Sequence, residues 1–385
     1  MKTFTKAFLI TLIALILLCS AFAGGYLTHS YLSEAPAKLP ILSEAYSLLL
    51  EHGYNTPPPQ QAMEHGMIQG MLQAYGDRFS IFLEPAQRQL ESDQLQGSFG
   101  GIGVRFGTDG ENYPVLYPFP DSPALQAGIQ DGDRLMAVGK LKIDPSTSLD
   151  DVQEAIRGKV GERVSLTIAR PPGYVQQTLS IERKEIPLPS TTWHIEALNA
   201  QLGVIEVNVL AATTPDEIQK AYKDLSARGA THFVLDLRNN GGGLLDSGID
   251  TARLFLKDGD VIQEQYRGKD VETFKVDKPG ALAEIPLAVL VNQNTASAAE
   301  IVAGSLQAHH RAVLIGTPTF GKNTIQLVFV LQDGSSIHIT AAHWWIPGLE
   351  FPKNGHGLEP DAPLQADSKD VNLPIETAIQ ELFNK

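Results

Sequence analysis

Two short apolar runs flanking a helical pattern restrict the fold of this chain more than any other stretch. Leu287-Ala288-Val289-Leu290-Val291 has the length and composition of a strand buried on both faces. A polar turn, Asn292 to Thr295, leads to Ser297, after which apolar residues recur at Ala298, Ile301, Val302 and Leu306. That spacing predicts a helix. Ala312-Val313-Leu314-Ile315 reads as a second strand, followed by a Gly-rich turn that carries Lys322. A strand–helix–strand unit of this kind returns the end of its second strand beside the end of its first. The alternation also occurs upstream. Leu202–Val207 reads as a strand and His232–Leu235 as another. Between them lies a helix with Thr214 as cap, Pro215 first and Glu217 as capping-box acid, ended by Gly229. Repeated alternation predicts an α/β core.

Ser297 has two readings. With Glu300 it matches the S-x-x-E capping box, a purely structural device. It also sits at a strand-to-helix turn, where free N–H groups and the positive dipole end favour a developing oxyanion. A nucleophilic serine needs a base. No G-x-S-x-G elbow surrounds Ser297, and Lys322 is the nearest candidate along the chain. An ordinary lysine at pH 7 is charged, and stripping its proton costs roughly 4.6 kcal/mol. Burial removes most of that cost by disfavouring the ammonium. Phe320 and apolar flanks fit such a dry pocket, and Gln326 can orient the amine through its amide oxygen. The structural alternative is a solvated turn lysine.

The stretch Val291-Asn292, Ser297 to Gly304, Arg311-Ala312, Gly316, Thr319-Phe320-Gly321-Lys322 and Gln326 resembles the catalytic block of the carboxyl-terminal processing (tail-specific) peptidases. These are Ser/Lys proteases. The resemblance implies Ser297 as nucleophile, Lys322 as general base and Gln326 as the residue that positions the lysine. Asp236-Leu237-Arg238-Asn239-Asn240-Gly241-Gly242-Gly243 is similar to the family's D-L-R-x-N-x-G-G element. It implies an oxyanion hole from the Gly242 and Ala298 N–H groups. Ala299 stands where the family commonly has a second serine, and Gly241 where many relatives have proline. Trp344-Trp345 through Glu359-Pro360-Asp361 looks like the end of the same catalytic domain. The implied fold is a crotonase-like ββα-spiral core.

Residues 97–187 form a separate module. Gly100-Gly101-Ile102-Gly103-Val104 fails the dinucleotide-loop spacing, and a strand pattern follows it. The Asp121-Ser122-Pro123-Ala124, Ala127-Gly128 and Asp131-Gly132-Asp133 series succeeds it. A helix at Leu149–Arg157 is opened by Ser148 and Asp151 and ended by Gly158. The module is similar to a PDZ domain. That similarity implies that a peptide adds as a strand between Val104 and the helix, its carboxylate on the N–H groups of Gly101, Ile102 and Gly103. The chain thus divides into an N-terminal segment (1–30), a tether and helical segment (31–96), the PDZ module (97–187) and a protease core (188–385). In the second part, helices are predicted at Pro40–His52 and Gln61–Tyr75, parted by Pro57-Pro58-Pro59. Gly70-Met71-Leu72, Gly76-Asp77 and Ser80 also resemble the peptidase family. A last helix is predicted at Leu373–Phe383.

Composition removes several functions. Of 385 residues, 44 are Asp or Glu against 30 Lys or Arg, giving a net charge of −14 with no basic cluster. Nucleic acid is therefore an unexpected partner. The single Cys19 precludes an intramolecular disulfide. No metal motif occurs, and no cofactor is expected. His309-His310 suits a helix C-terminus, and His338, His343 and His356 lack ligand spacing. The apolar run Ala7–Leu27 follows Lys2 and Lys6 and is long enough, at ~1.5 Å per residue, to cross a bilayer. Ala21-Phe22-Ala23 resembles a signal-cleavage site. The length of the run favours an uncleaved anchor, and either fate places the remainder outside the cytoplasm. Leu18 before Cys19 argues against lipidation. The expected activity is an endopeptidase acting near the free C-termini of unfolded or exported polypeptides. The alternatives are a membrane-anchored PDZ adaptor that never cuts, and an acyl hydrolase using a histidine base.

Overall fold

The computed structural model describes residues 39–349, 357–365 and 370–383. The apolar run at 7–27, Cys19, the tether at 31–38 and His356 lie outside them. The chain divides into two compact units, Met1–Met67 and Ile68–Lys385. The first contains α1 (Pro40–His52) and the opening turns of α2 (Gln60–Tyr75). Pro40 starts α1, where its missing N–H costs nothing. Gly53 N–H closes it on Leu49 O at 2.9 Å. No residue of α1 is buried. Among the described residues, no helix is long and apolar enough to cross a membrane.

The second unit runs from within α2 to β1 (Ile81–Leu83) and α3 (Pro85–Gln96), which ends at Gly97 in the left-handed conformation. The PDZ module follows. Its elements are β2 (Ser98–Gly101), β3 (Val104–Thr108), β4 (Pro114–Pro118), α4 (Pro123–Gln126), β5 (Asp133–Val138), β6 (Leu141–Lys142), α5 (Leu149–Ile156), β7 (Arg163–Arg170), β8 (Val175–Glu182) and β9 (Lys184–Pro187). Strands order β3-β4-β5-β7-β8, with β6 beside β5, so β3 is an edge. Ser148 Oγ accepts from Asp151 N–H as a cap on α5. Val152 and Ile156 then turn into a core with Ile102, Leu116, Leu135 and Leu166. The module is closed at its neck by the antiparallel β2–β9 ladder, Ser98 opposite Pro187 and Gly101 opposite Lys184.

The protease core continues through β10 (Thr191–Ile195), β11 (Leu202–Val207), α6 (Thr214–Ala227), β12 (His232–Asp236), α7 (Leu245–Phe255), β13 (Asp260–Tyr266), β14 (Glu272–Lys275), β15 (Leu287–Val291), α8 (Ala298–Ala308), β16 (Val313–Gly316), β17 (Thr324–Val330), β18 (Ser336–Trp345), β19 (Ala362–Pro363) and α9 (Leu373–Phe383). One sheet orders β10-β11-β12-β15-β16-β19 and is parallel from β11 onward. Each strand adds to the same side, with a helix following β11, β12, β15 and β19. This is the ββα advance that the resemblance implied. Alternate residues serve opposite faces. Ile205, Leu235, Val289 and Leu314 join the layer under α6, α7 and α8, while Val204, Val234, Leu290 and Ile315 meet α9. Full burial of each such side chain contributes roughly 1.5–3 kcal/mol, which fixes where β12 and β15 deliver their polar ends. A second sheet orders β1-β18-β13-β14, with β17 on β18. Residues preceding the PDZ module therefore supply a strand to the core.

One local expectation is corrected. Thr214 is the first residue of α6 rather than its cap. Its hydroxyl accepts from Ala211 N–H and donates to Ser190 Oγ. Glu217 reaches back only to the hydroxyl of the cap residue, Thr213, and most of its bonds go elsewhere. Its carboxylate accepts from the N–H and hydroxyl groups of Ser190 and Thr191, and from the Thr213 hydroxyl. Burial pushes its pKa up, but these donors prevail and hold it below the usual glutamate range. The pattern looks like a cap in sequence because its other partners, Ser190 and Thr191, are more than twenty positions away.

Candidate active site

Strand β15 delivers its chain into the turn before α8, and buried polar groups fix that turn. Thr295 Oγ1 accepts from Asn292 N–H and donates to Leu237 O at 2.8 Å. Ala296 N–H donates to Asn240 O. Asn239 Oδ1 accepts from the amides of Asn292 and Asn294, both at 3.0 Å. The loops after β12 and β15 are thus laced together. Ser297 emerges with φ 55° and ψ −123°. A positive φ is uncommon for a non-glycine residue and costs of order 1–3 kcal/mol. The surrounding bonds hold it there, partly accessible at the mouth of α8.

Glu300 does more than cap. Its side chain is fully buried. Oε2 accepts from Ser297 N–H at 2.8 Å and from Lys322 N–H at 2.9 Å. Oε1 accepts from Gly321 N–H at 2.7 Å and Thr319 Oγ1 at 2.5 Å. Burial pushes the carboxyl pKa up, against the pull of these four donors. Because one oxygen takes both main-chain nitrogens, Ser297 and Lys322 are separated by no more than those two bonds combined. The structure therefore brings the main chains of Ser297 and Lys322 together, while the Lys322 amine itself is bonded to Gln326.

Lys322 Nζ donates to Gln326 Oε1 at 2.8 Å. Burial lowers its pKa below the ordinary lysine value, while Asp77 and Glu91 oppose that shift. Gln326, the first residue after an irregularity in the β17–β18 register, donates its amide N–H to Phe79 O. Phe320 does not dry the pocket as expected from sequence. It is 46% exposed, and the ring over Lys322 Nζ is that of Phe79, its centroid 5.2 Å away. Sequence reading missed Phe79, although the turn holding it had been singled out.

Gly242 lies against Ser297. A Cβ there would stand 2.9 Å from Ser297 Cβ and 3.0 Å from Ala298 N, and its φ is +101°, so only glycine fits. Its N–H donates to Asn240 Oδ1 at 2.8 Å, while Asn240 Nδ2 donates to Val207 O. Ala298 N–H is the first of α8 and has no acceptor within the helix. Ala299 is fully buried. Asp236 accepts from Arg238 Nε and Nη2 at the start of the same loop.

In the PDZ module, Gly101 ends β2 and Val104 begins β3. Ile102 is buried, and its carbonyl accepts from Ala124 N–H at 2.9 Å. Gly103 has φ +70° and accepts from Phe119 N–H. The four residues form the link onto the open edge of β3. His309 lies at the C-terminus of α8 and shares a hydrogen bond with Asp260 O. His338 lies 3.3 Å from Glu91. Among the described residues, no group of histidine, cysteine and acidic side chains is arranged to hold a metal ion.

The model of peptidase family S41 matches residues 201–364, and that of the PDZ domain matches residues 115–170. The chain is 36% identical over 295 residues to the carboxyl-terminal-processing protease of Picosynechococcus sp., covering 76% of this chain and 70% of that protein. The chain belongs to peptidase family S41. It is also 32% identical over 313 residues to the carboxy-terminal processing protease CtpA of Bacillus subtilis, covering 81% of this chain. It spans 66% of that relative's length. Among solved structures, a photosystem II D1 C-terminal processing protease aligns over 84% of this chain and 86% of its own, at 29% identity and a TM-score of 0.46. With a PDZ domain set into its α/β core, this S41 member groups with the serine-type C-terminal processing peptidases.

Proposed function

We propose that the chain is a Ser/Lys endopeptidase that binds polypeptide tails outside the cytoplasm and cleaves near them. The observation that carries this reading is the Glu300 carboxylate, which gathers the main chains of Ser297 and Lys322 while Lys322 Nζ is held in a partly dry niche. In this mechanism Lys322, as free amine, takes the proton of Ser297 Oγ. The oxygen attacks the scissile carbonyl carbon, and the oxyanion is met by Ala298 N–H. Gly242 N–H joins by exchanging Asn240 Oδ1 for the substrate oxygen. Each such donor is worth roughly 3–4 kcal/mol. The ammonium of Lys322 then protonates the leaving amine, and water resolves the acyl-enzyme by the reverse proton path. Gln326 Oε1 holds Nζ throughout, leaving its lone pair for the hydroxyl proton.

Gly101, Ile102, Gly103 and Val104 serve as the seat for the tail. A carboxylate would meet main-chain N–H groups there, and the chain behind it would add to the edge of β3. The segment at 7–27 would hold the enzyme at the membrane with its catalytic part on the extracytoplasmic side.

The test is digestion of an unfolded protein by the full chain, with fragments read by mass. Ser297→Ala is expected to reduce cleavage to background. Lys322→Ala is expected to lower it about 10²–10⁴-fold, the usual worth of a general base. Near-wild-type turnover by Lys322→Ala refutes the base. Tail binding without any cleavage by the wild type leaves the adaptor reading instead.

A further inference from the structure

The turn at Gly76–Ser80 has no part in the mechanism above, yet it closes over the base. Gly76 takes a left-handed conformation, and the Asp77 carboxylate folds the turn by accepting from Phe79 N–H at 3.1 Å and Ser80 Oγ at 2.5 Å. Ser80 Oγ in turn accepts from Thr340 N–H on β18 at 3.2 Å. The turn is therefore folded by Asp77 and bolted to the core sheet through Ser80.

Phe79 then meets the base through two groups. Its carbonyl accepts the amide N–H of Gln326. That bond decides which way the amide faces: with Nε2 held, Oε1 is the end left for Lys322 Nζ. A flipped amide would set N–H groups against the amine. The ring stands over Nζ and meets Phe320 at 6.5 Å in an edge-on arrangement. The charged groups around this point are Asp77 on the same turn and Glu91 on α3, which favour the ammonium. Arg78 lies over the Phe79 ring, and Glu300 accepts the lysine's own N–H. Asp77, Glu91 and the face of the ring all favour the ammonium, and only the exclusion of water opposes it. The cover has to offset them.

We propose that Phe79 is a positioning residue for the general base, its carbonyl fixing the orientation of Gln326 and its ring keeping water from Lys322 Nζ. The proposal rests on the Ser/Lys reading above. It uses a residue 247 positions from Gln326 in sequence, and it gives the Asp77–Ser80 turn a reason to be built as it is.

The experiment measures kcat/KM against pH on a fluorogenic peptide for the full chain and for Phe79→Ala, Phe79→Leu, Phe79→Tyr and Lys322→Ala. Opening the niche moves the lysine toward its ordinary value. The acid-side midpoint of Phe79→Ala is expected to rise by about one unit, with about tenfold less activity at neutral pH and recovery in alkali. Phe79→Tyr, which keeps the ring, retains the wild-type midpoint. A merely structural contribution would lower the rate equally at every pH. If Phe79→Ala does not fold, Phe79→Leu has to shift the midpoint the same way. An unmoved midpoint with Lys322→Ala inactive overturns the role of Phe79 alone. Wild-type turnover by Lys322→Ala overturns the Ser/Lys reading beneath it.

Discussion

At the scale of single residues, Glu300 ties together the stretches that carry Ser297 and Lys322. Its two oxygens are saturated by three main-chain N–H groups and one hydroxyl. A glutamine there must turn its NH₂ toward at least one N–H group. A buried donor left unmet costs about 1–3 kcal/mol, so Glu300→Gln is expected to lose stability of that order in denaturant titration. On the Ser/Lys proposal it should also lose most activity, because the Ser297 and Lys322 segments part. Full activity with unchanged stability would show that the carboxylate is dispensable. In sequence, Glu300 is visible only as the partner of Ser297 three residues away. Its other acceptor bonds reach Thr319, Gly321 and Lys322, 19 to 22 positions on. Short-range patterns do not extend so far. Ser297, Lys322 and Gln326 can be singled out as candidates from residue type and spacing alone. Phe79 was not, because it works through a main-chain carbonyl, and Asn240 was visible only as a motif position whose bonds to Val207 and Gly242 folding creates.

At the scale of elements, the parallel strands were readable from their unbroken apolar runs, since both faces of β12 and β15 are covered. Strand β1 was not. Three residues with one buried side chain carry no period, and only pairing with β18 makes them a strand. Strand β3 gives the element-level prediction. It pairs with β4 alone and follows directly on Gly101, Ile102 and Gly103. Amidating the C-terminus of a bound peptide removes the charge meant for those N–H groups. Affinity is expected to fall about tenfold or more, the scale of a charge-assisted hydrogen bond. Equal binding of acid and amide peptides in calorimetry would remove the carboxylate seat.

At the scale of the whole molecule, the membrane reading rests on the segment at 7–27 and on nothing in the folded parts. Removing residues 1–30 is expected to move the protein from the membrane fraction to the soluble one, with peptidase activity retained. Continued membrane retention would assign the attachment elsewhere. The folded parts carry their own topological lesson. Ser98 faces Pro187 across the β2–β9 ladder, and Leu188 N–H bonds Gly97 O just beneath it at 2.8 Å. The polypeptide thus departs from the catalytic body and rejoins it at neighbouring points, like a cassette in a slot. A different recognition cassette with similarly spaced ends can be spliced at that seam while the hydrolytic machinery keeps its shape, so the choice of client and the chemistry of cutting are free to diverge independently.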